Sequence, residues 1–550
     1  MTTVDPVFAA VTAPGTPFEI GERDDMRQFV NAPPDLNMLI EAARRHGDKT
    51  FIVEGERRFS FDDIFRLRDA LVPKFEIQRG DHVAICMRNR SEWMVAFLAV
   101  VRAGGVAALV NSRGAPEELV AMIEGVEAKL VLADGGRAAL LREGGFAGRI
   151  MEIDEFPTLD EAGEADTPAA AQESASPDDP CVILFTSGTT GRVKGAMLSH
   201  KNLITGLLSM QLSGLMVIHN MARAMNIEPE TLIANIPQQA VLQVFPLFHI
   251  SGLGAAFLSP LFAGSKIVIL RRWDAEETMR LIGEEGITQL TGVPTMLWDL
   301  IRVAKGREAE LVSLRSIGTG GQALPVNLLD AIRELCPHAV MGTGYGMTES
   351  AGSVAMAVGE DFVRNRAAAG RVLNLVDMKI VGPDGETLPI GEAGEIVVRG
   401  PMIMQGYWKQ PEATAEVLGE DGWFKTGDVG YLDEEDYIFI VDRKKDMVIS
   451  GGENIYCAEV ERVMGEIPEV TECAAFGIPD ERLGERLVAV VVAEGIDEAA
   501  IIENVGEHLA RYKAPGRVAF FEEPLPRNAV GKVDKVQLRA AWPELMGETV

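Results

Sequence analysis

CVILFTSGTTGRVKG, Cys181 to Gly195, is the stretch on which the reading of this chain turns. The apolar run Cys181–Leu184 reads as a buried strand. It feeds a loop of Ser/Thr pairs and glycines that contains a single lysine, Lys194. Glycines such as Gly188 and Gly191 let main-chain N–H groups approach an anion closely. Successive N–H groups then form an anion-binding concavity, to which Thr186, Ser187, Thr189 and Thr190 add hydroxyl donors. This is a phosphate cradle, but not a Walker loop, which needs GxxxxGK[ST]. Here Lys194 is followed by Gly195 and preceded by Val193. A flexible Ser/Gly linker is the plain alternative, and the flanking strand and embedded lysine argue against it.

Outward from the cradle, Leu36, Leu39, Ile40 and Ala43 share a helical face, and Phe61–Leu71 repeats that spacing. Thr50–Val53, His82–Cys86, Gly105–Val110 and Lys129–Ala133 read as strands, with helices at Glu92–Arg102 and Pro116–Glu124. Such alternation predicts a parallel, helix-covered sheet. It resumes at Leu242–Phe245, Lys266–Leu270 and Ser316–Gly318, after a long helix following Asn202 that runs to Met225 and a polar turn at Ile227–Glu230. From Asp377, short strands with Gly turns predict a small antiparallel barrel. Past Asp442 the chain reads as a compact α+β unit of about a hundred residues.

At 550 residues the chain exceeds one core, and its 52 basic against 82 acidic residues give a net charge of −30. A surface that negative disfavours nucleic acid and anionic lipid as main partners, so each basic residue inside a motif is informative. Five scattered cysteines without metal-type spacing suggest reduced thiols and a cytoplasmic location. No signal peptide is expected at the N-terminus. The most apolar stretch, Ile250–Gly264, is broken by Gly and Pro and falls short of the roughly twenty residues of a membrane span. No integral membrane segment is therefore expected.

Further constellations are ambiguous one at a time. Tyr345 among glycines can stack on a purine, with Thr348 and Glu349 available to phosphate and Mg²⁺. Gly318–Ala323 matches GxGxxA, but no acidic residue follows at the distance a dinucleotide fold requires. Asp428, after a turn, can bind ribose hydroxyls or simply be a turn residue. Asp442–Asp446 is a charge run, and Lys532 follows a glycine turn near the C-terminus.

Taken in order, FTSGTTGRVKG, FPLFHISG (Phe245–Gly252), GYGMTE (Gly344–Glu349), TGD (Thr426–Asp428), DRKKDMVISGGENIYCAEVE (Asp442–Glu461) and PRNAVGK (Pro526–Lys532) carry a resemblance. The chain resembles the adenylate-forming superfamily of acyl- and aryl-CoA synthetases, firefly-type luciferases and peptide-synthetase adenylation domains. Val193 departs from the pattern, which has proline before the lysine. The resemblance implies an α/β fold: a large N-terminal domain (1–444) of helix-covered sheets plus a small antiparallel barrel, and a smaller mobile α+β C-terminal domain (445–550). It implies that Thr186, Ser187, Gly188, Thr189, Thr190, Gly191 and Lys194 cradle the ATP phosphates. Tyr345 would stack on adenine, Thr348 contact the α-phosphate, Glu349 ligate Mg²⁺, and Asp428 and Arg443 bind ribose. Lys532 would bridge carboxylate and α-phosphate, and Lys445 would be the hinge. After rotation Gly451 and Gly452 would line the path of CoA's pantetheine arm. His249, which also counts among the catalytic candidates, would wall an acyl pocket with Ile250, Gly318, Gly320, Gly321 and Gly344.

The FPLFHISG segment lacks the acidic residue an amino-acid substrate needs, and the pocket stretches lack a cation for a second carboxylate. The expected reaction joins a monocarboxylic acid to CoA through acyl-AMP, with ATP, Mg²⁺ and CoA required. A medium- or long-chain fatty acid is the favoured substrate, and an aryl or cinnamic acid the alternative. Two other readings are an acyl-AMP ligase that loads a carrier protein and a nucleotide binder without activity. Homodimerisation is left open.

Overall fold

The computed structural model describes residues 5–23, 25–163, 174–187, 193–320, 326–444, 446–450, 453–480, 482–527 and 533–546. Near the N-terminus, local signals set the elements. Ser60 and Asp63 form a reciprocal capping box that starts the helix Phe61–Leu71. The strand His82–Cys86 is buried at every position, as a strand covered by helices on both faces must be. Beside it lie Val106–Leu109, Leu130–Ala133 and Ile150–Glu152, all parallel. The cradle strand Pro180–Ser187 pairs parallel with Val106–Leu109 and antiparallel with Val193–Ser199, and Gly406–Tyr407 completes the seven-stranded sheet.

A second sheet of thirteen strands carries the remaining large-domain elements. Its parallel centre comprises Ala240–Gln243, Gln289–Gly292, Ser316–Gly320 and Val340–Met347. The antiparallel strands expected after Asp377 are present, and through Tyr437–Arg443 and Gly370–Val372 their hydrogen bonding runs on into this sheet. The buried helix Ser91–Arg102 lies in the core between the two sheets, where Trp93 and Phe97 meet Phe257 and Phe257 meets Phe51. From Val448 a five-stranded sheet with its own apolar clusters forms a third layer system.

The long helix spans His200–Met225, starts at a Ser199–Asn202 capping box and ends on Asn226 in the left-handed region. By length and composition it could cross a membrane, a feature the sequence reading placed nowhere. Half of its most apolar window is buried inside the protein, with Leu203, Leu207 and Leu212 in the core. The polar turn expected at Ile227–Glu230 is shorter, because a second helix begins at Pro229.

Candidate active site

Tyr345 stands between Gly344 and Gly346 in the strand Val340–Met347. At Gly346 the register with Gly352–Val358 shifts, and a Cβ there would sit 2.0 Å from the Gly352 carbonyl oxygen. Only glycine permits that approach. The Tyr345 hydroxyl donates to Asp428 Oδ2 at 2.7 Å. Asp428 is level with Arg443 on the neighbouring strand, and Arg443 Nε lies 3.4 Å from Asp428 Oδ1. Burial, and next the Asp428 charge, push the Tyr345 phenol well above its ordinary pKa. It therefore stays a neutral donor, fixed at its hydroxyl. Asp428 does not follow a tight turn, as the sequence suggested, but lies inside the strand Phe424–Leu432 next to Gly427, at φ +72°, whose carbonyl accepts from Lys444 N–H at 2.9 Å.

Thr348 is buried in the short helical turn after Tyr345, and Glu349 follows it. The Tyr407 hydroxyl donates to Glu349 Oε1 at 2.9 Å, and Lys194 Nζ lies 4.8 Å from the Tyr407 ring centroid. Burial raises the Glu349 carboxyl above its ordinary pKa, while the Tyr407 hydroxyl and the Arg443 and Lys194 charges pull it back. Lys194 is itself level with Thr186 across the cradle hairpin. The structure thus brings Thr186, Lys194, Tyr345, Asp428 and Arg443 on their strands near Thr348 and Glu349 of the helical turn. Among the described residues no three His, Cys, Asp or Glu side chains cluster as a metal site. Gly188, Thr189, Thr190, Gly191, Gly321, Lys445, Gly451, Gly452 and Lys532 lie outside the described residues.

The charge run Asp442–Asp446 resolves into separate partnerships. Arg443 meets Asp428, and Lys444 meets Glu395 at 2.9 Å. Asp442 is buried, accepts from Arg443 and Ala458 N–H groups, and is raised to about 6 chiefly by burial.

Beside Tyr345, one sheet face has an unusual lining. On four parallel strands Leu242, Leu290, Ile317 and Met341 point into an apolar cluster under the outer helices. Alternation puts Gln243, Thr291, Gly318 and Gly342 on the opposite face. There Gly318 is level with Gly342, and Gly320 with Gly344. The atoms nearest to a Cβ built on Gly318, Gly342 or Gly344 all belong to neighbouring strands of the same sheet. Among the described residues no covering layer comes as near to these glycines, and the result is a trough that ends at Tyr345.

His249 and Ile250 precede the π-helix Ser251–Leu258. The His249 Nδ1 accepts from the Ser251 backbone N–H at 3.4 Å and lies 3.2 Å from its Oγ. Gly252 is obligatory, since a Cβ would meet the Pro246 carbonyl oxygen at 2.1 Å. Buried Asn89 clamps this loop from the other sheet: Nδ2 donates to the Phe245 carbonyl at 2.8 Å, and Oδ1 accepts from Leu247 N–H at 3.0 Å. Asn89→Ala is expected to leave both loop groups unpaired and to cost about 1–3 kcal/mol of stability, read as a lower urea midpoint. Sequence reasoning missed Asn89 and Tyr407, which reach the site only through long-range pairing.

None of the five thiols suits nucleophilic chemistry. Burial pushes Cys86 up to about 12 and Cys336 to about 11, and raises Cys181, Cys457 and Cys473 further.

Comparison with known proteins places the chain in a family. The family model "AMP-binding enzyme" matches residues 39–408, and "AMP-binding enzyme C-terminal domain" matches 459–532. A feruloyl-CoA synthase of Amycolatopsis sp is 37% identical over 479 residues, covering 84% of this chain and 89% of its own. A long-chain-fatty-acid–CoA ligase of Mycobacterium tuberculosis is 33% identical, covering 85% and 89%. The o-succinylbenzoate CoA synthetase of Bacillus subtilis, solved with its acyl-adenylate OSB-AMP, superposes with a TM-score of 0.76 at 28% identity, covering 92% of this chain and 98% of that one. Its complex with ATP and magnesium gives 0.74. The chain belongs to the AMP-binding enzyme family of the adenylate-forming superfamily, and it is an ATP-dependent, AMP-forming carboxylate–CoA ligase.

Proposed function

We propose that the acid this ligase activates is a monocarboxylate with a flat, cyclic body, an aryl or cinnamic acid in type, lying in the trough beside Tyr345. The observation that carries this is the trough floor of Gly318, Gly342 and Gly344. A long alkyl tail gains most from a tunnel of Leu, Ile and Phe. The floor nearest Tyr345 offers Gly318, Gly342, Gly344 and Thr291 instead, so the medium- or long-chain fatty acid expected from the sequence fits it less well. No cation stands on it among the described residues, in keeping with a single carboxylate.

In this reading the acid's carboxylate attacks the α-phosphorus of ATP, the α–β bond breaks, and pyrophosphate leaves toward the cradle of Thr186, Ser187, Gly188, Thr189, Thr190, Gly191 and Lys194. Tyr345, held by Asp428, packs on adenine. Asp428 and Arg443 take the ribose hydroxyls, and the buried Thr348 hydroxyl donates to the α-phosphate. Glu349 suits Mg²⁺, which is commonly held by one or two carboxylates plus substrate phosphates, and the ion would neutralise charge between the reacting anions. Lys532 adds positive charge where acid and α-phosphate meet. Residues 445–550 then turn about Lys445, Gly451 and Gly452 line the pantetheine path, and the CoA sulfur displaces AMP. His249 and Ile250 wall the acid's entry. The trough forms within the proposed unit 1–444, and the unpaired thiols suit a reducing cytoplasm.

CoA-dependent AMP release tests the substrate reading. Aryl and cinnamic acids should exceed dodecanoic acid in kcat/KM by about tenfold or more. A preference for dodecanoic acid would reject it, and transfer to a carrier protein but never to CoA would favour the carrier-loading reading.

A further inference from the structure

Gln243 stands where the trough meets the apolar core. It is level with Ile269 on one side, and two residues beyond the paired Val241 and Gln289 it comes level with Thr291 on the other. Farther along the same face Ile52, Ile267 and Ile269 are packed in the core with Leu253 and Phe257 of the π-helix. A side chain here would ordinarily be apolar. Gln243 is instead an amide with no exposed surface, and neither Nε2 nor Oε1 has a hydrogen-bond partner among the described residues. Buried amides are nearly always paired, because leaving one unmade forfeits its hydration without return.

From Tyr345's strand to Gln243's strand is three strand spacings, about 14 Å, so Gln243 marks the far end of the trough. An alkyl terminus seated there would keep both amide groups unpaired. A hydroxyl can accept from Nε2 and donate to Oε1, and a carbonyl oxygen can accept from Nε2. We propose that Gln243 is a specificity residue that reads a hydroxyl or carbonyl oxygen on the distal end of the acid. The contact forms as the side chain turns toward the entering ligand. Thr291, whose Oγ1 leans over Gly318, narrows the approach. This rests on the trough being the acyl pocket, as in the proposed function.

The test uses matched acids that differ only at the distal end: para-hydroxycinnamic against cinnamic, and omega-hydroxydodecanoic against dodecanoic. The wild type should favour the hydroxylated member by about tenfold or more in kcat/KM. Gln243→Met, close in shape but unable to make either bond, should bring the ratio near one, leave the KM for ATP unchanged and raise the Tm of the ligand-free protein. Gln243→Leu gives a second variant of the same sign. Equal treatment of both members of every pair by the wild type, whether both are turned over or both refused, overturns the proposal, as does an unchanged preference in Gln243→Met. Gly344→Ala separates the two levels. If it leaves the acid KM untouched, the pocket lies elsewhere and both readings fall. If it acts and Gln243→Met does not, the pocket stands and the role of Gln243 falls.

Discussion

Glu349→Gln should lower adenylation about a hundred- to a thousandfold without destabilising the ligand-free protein. The variant keeps an oxygen to accept from Tyr407, so packing is preserved, but it removes the carboxylate that in the proposed function would hold Mg²⁺. Stability supplies a check that does not depend on activity. Burial raises this carboxyl above its ordinary value of 4.5, so the folded protein binds the proton more tightly than the unfolded chain does. The carboxyl therefore favours folding most below pH 4.5, and that contribution is lost as pH rises through the raised folded value. Glutamine suffers no such loss. Melting curves of the two proteins should nearly coincide at acid pH and separate in the variant's favour at neutral pH. A variant that melts lower at neutral pH would mean that Glu349 is held by its partners more strongly than burial penalises it.

Lys532→Ala should divide the two half-reactions. Acid-dependent exchange of pyrophosphate into ATP should fall about a hundred- to a thousandfold, as for loss of one preorganised charge donor. Preformed acyl-AMP and CoA should still yield thioester, because in the proposed scheme the small domain would have turned Lys532 away before the thiol attacks. Free thiols have a pKa near about 8.5, so this step needs no strong base in place of the lysine. Equal loss of both steps would reject the division of labour and, with it, the hinge at Lys445.

The strands and helices that rest on local signals were legible in the sequence. Phe61–Leu71 and His82–Cys86 occupy the expected residues, because helical apolar spacing and a strand-length apolar run each suffice to mark them. Tyr345, Asp428 and Arg443 were legible as motif residues, and the structure does bring the three together. Tyr407 was not legible. It reaches Glu349 and Lys194 because a two-residue strand at Gly406 pairs with the far side of the cradle hairpin. Asn89 carries no local sign of the loop it holds at Phe245 and Leu247. The glycines of Gly318–Gly320 resembled a dinucleotide loop, whereas the structure shows them in a strand, with Gly318 flooring the trough together with Gly342 and Gly344. Their meaning depends on strand register, which one-dimensional spacing does not carry. The trough's polar end was hidden for the same reason, since Gln243 sits among apolar residues in the sequence and only alternation across four strands turns it away from them.

The most direct test of the central claim, that acyl-AMP forms beside Glu349 with the acid lying over the glycines, is acid-dependent pyrophosphate exchange without CoA in Gly344→Ala. A Cβ at Gly344 would meet the Ser353 hydroxyl at 3.1 Å, and a small rotation of that hydroxyl relieves the contact, so the strand should tolerate it. The added methyl would intrude on the trough. The predicted result is an acid KM raised about tenfold or more, with the KM for ATP unchanged. An unchanged acid KM, or a change confined to ATP, would contradict the account.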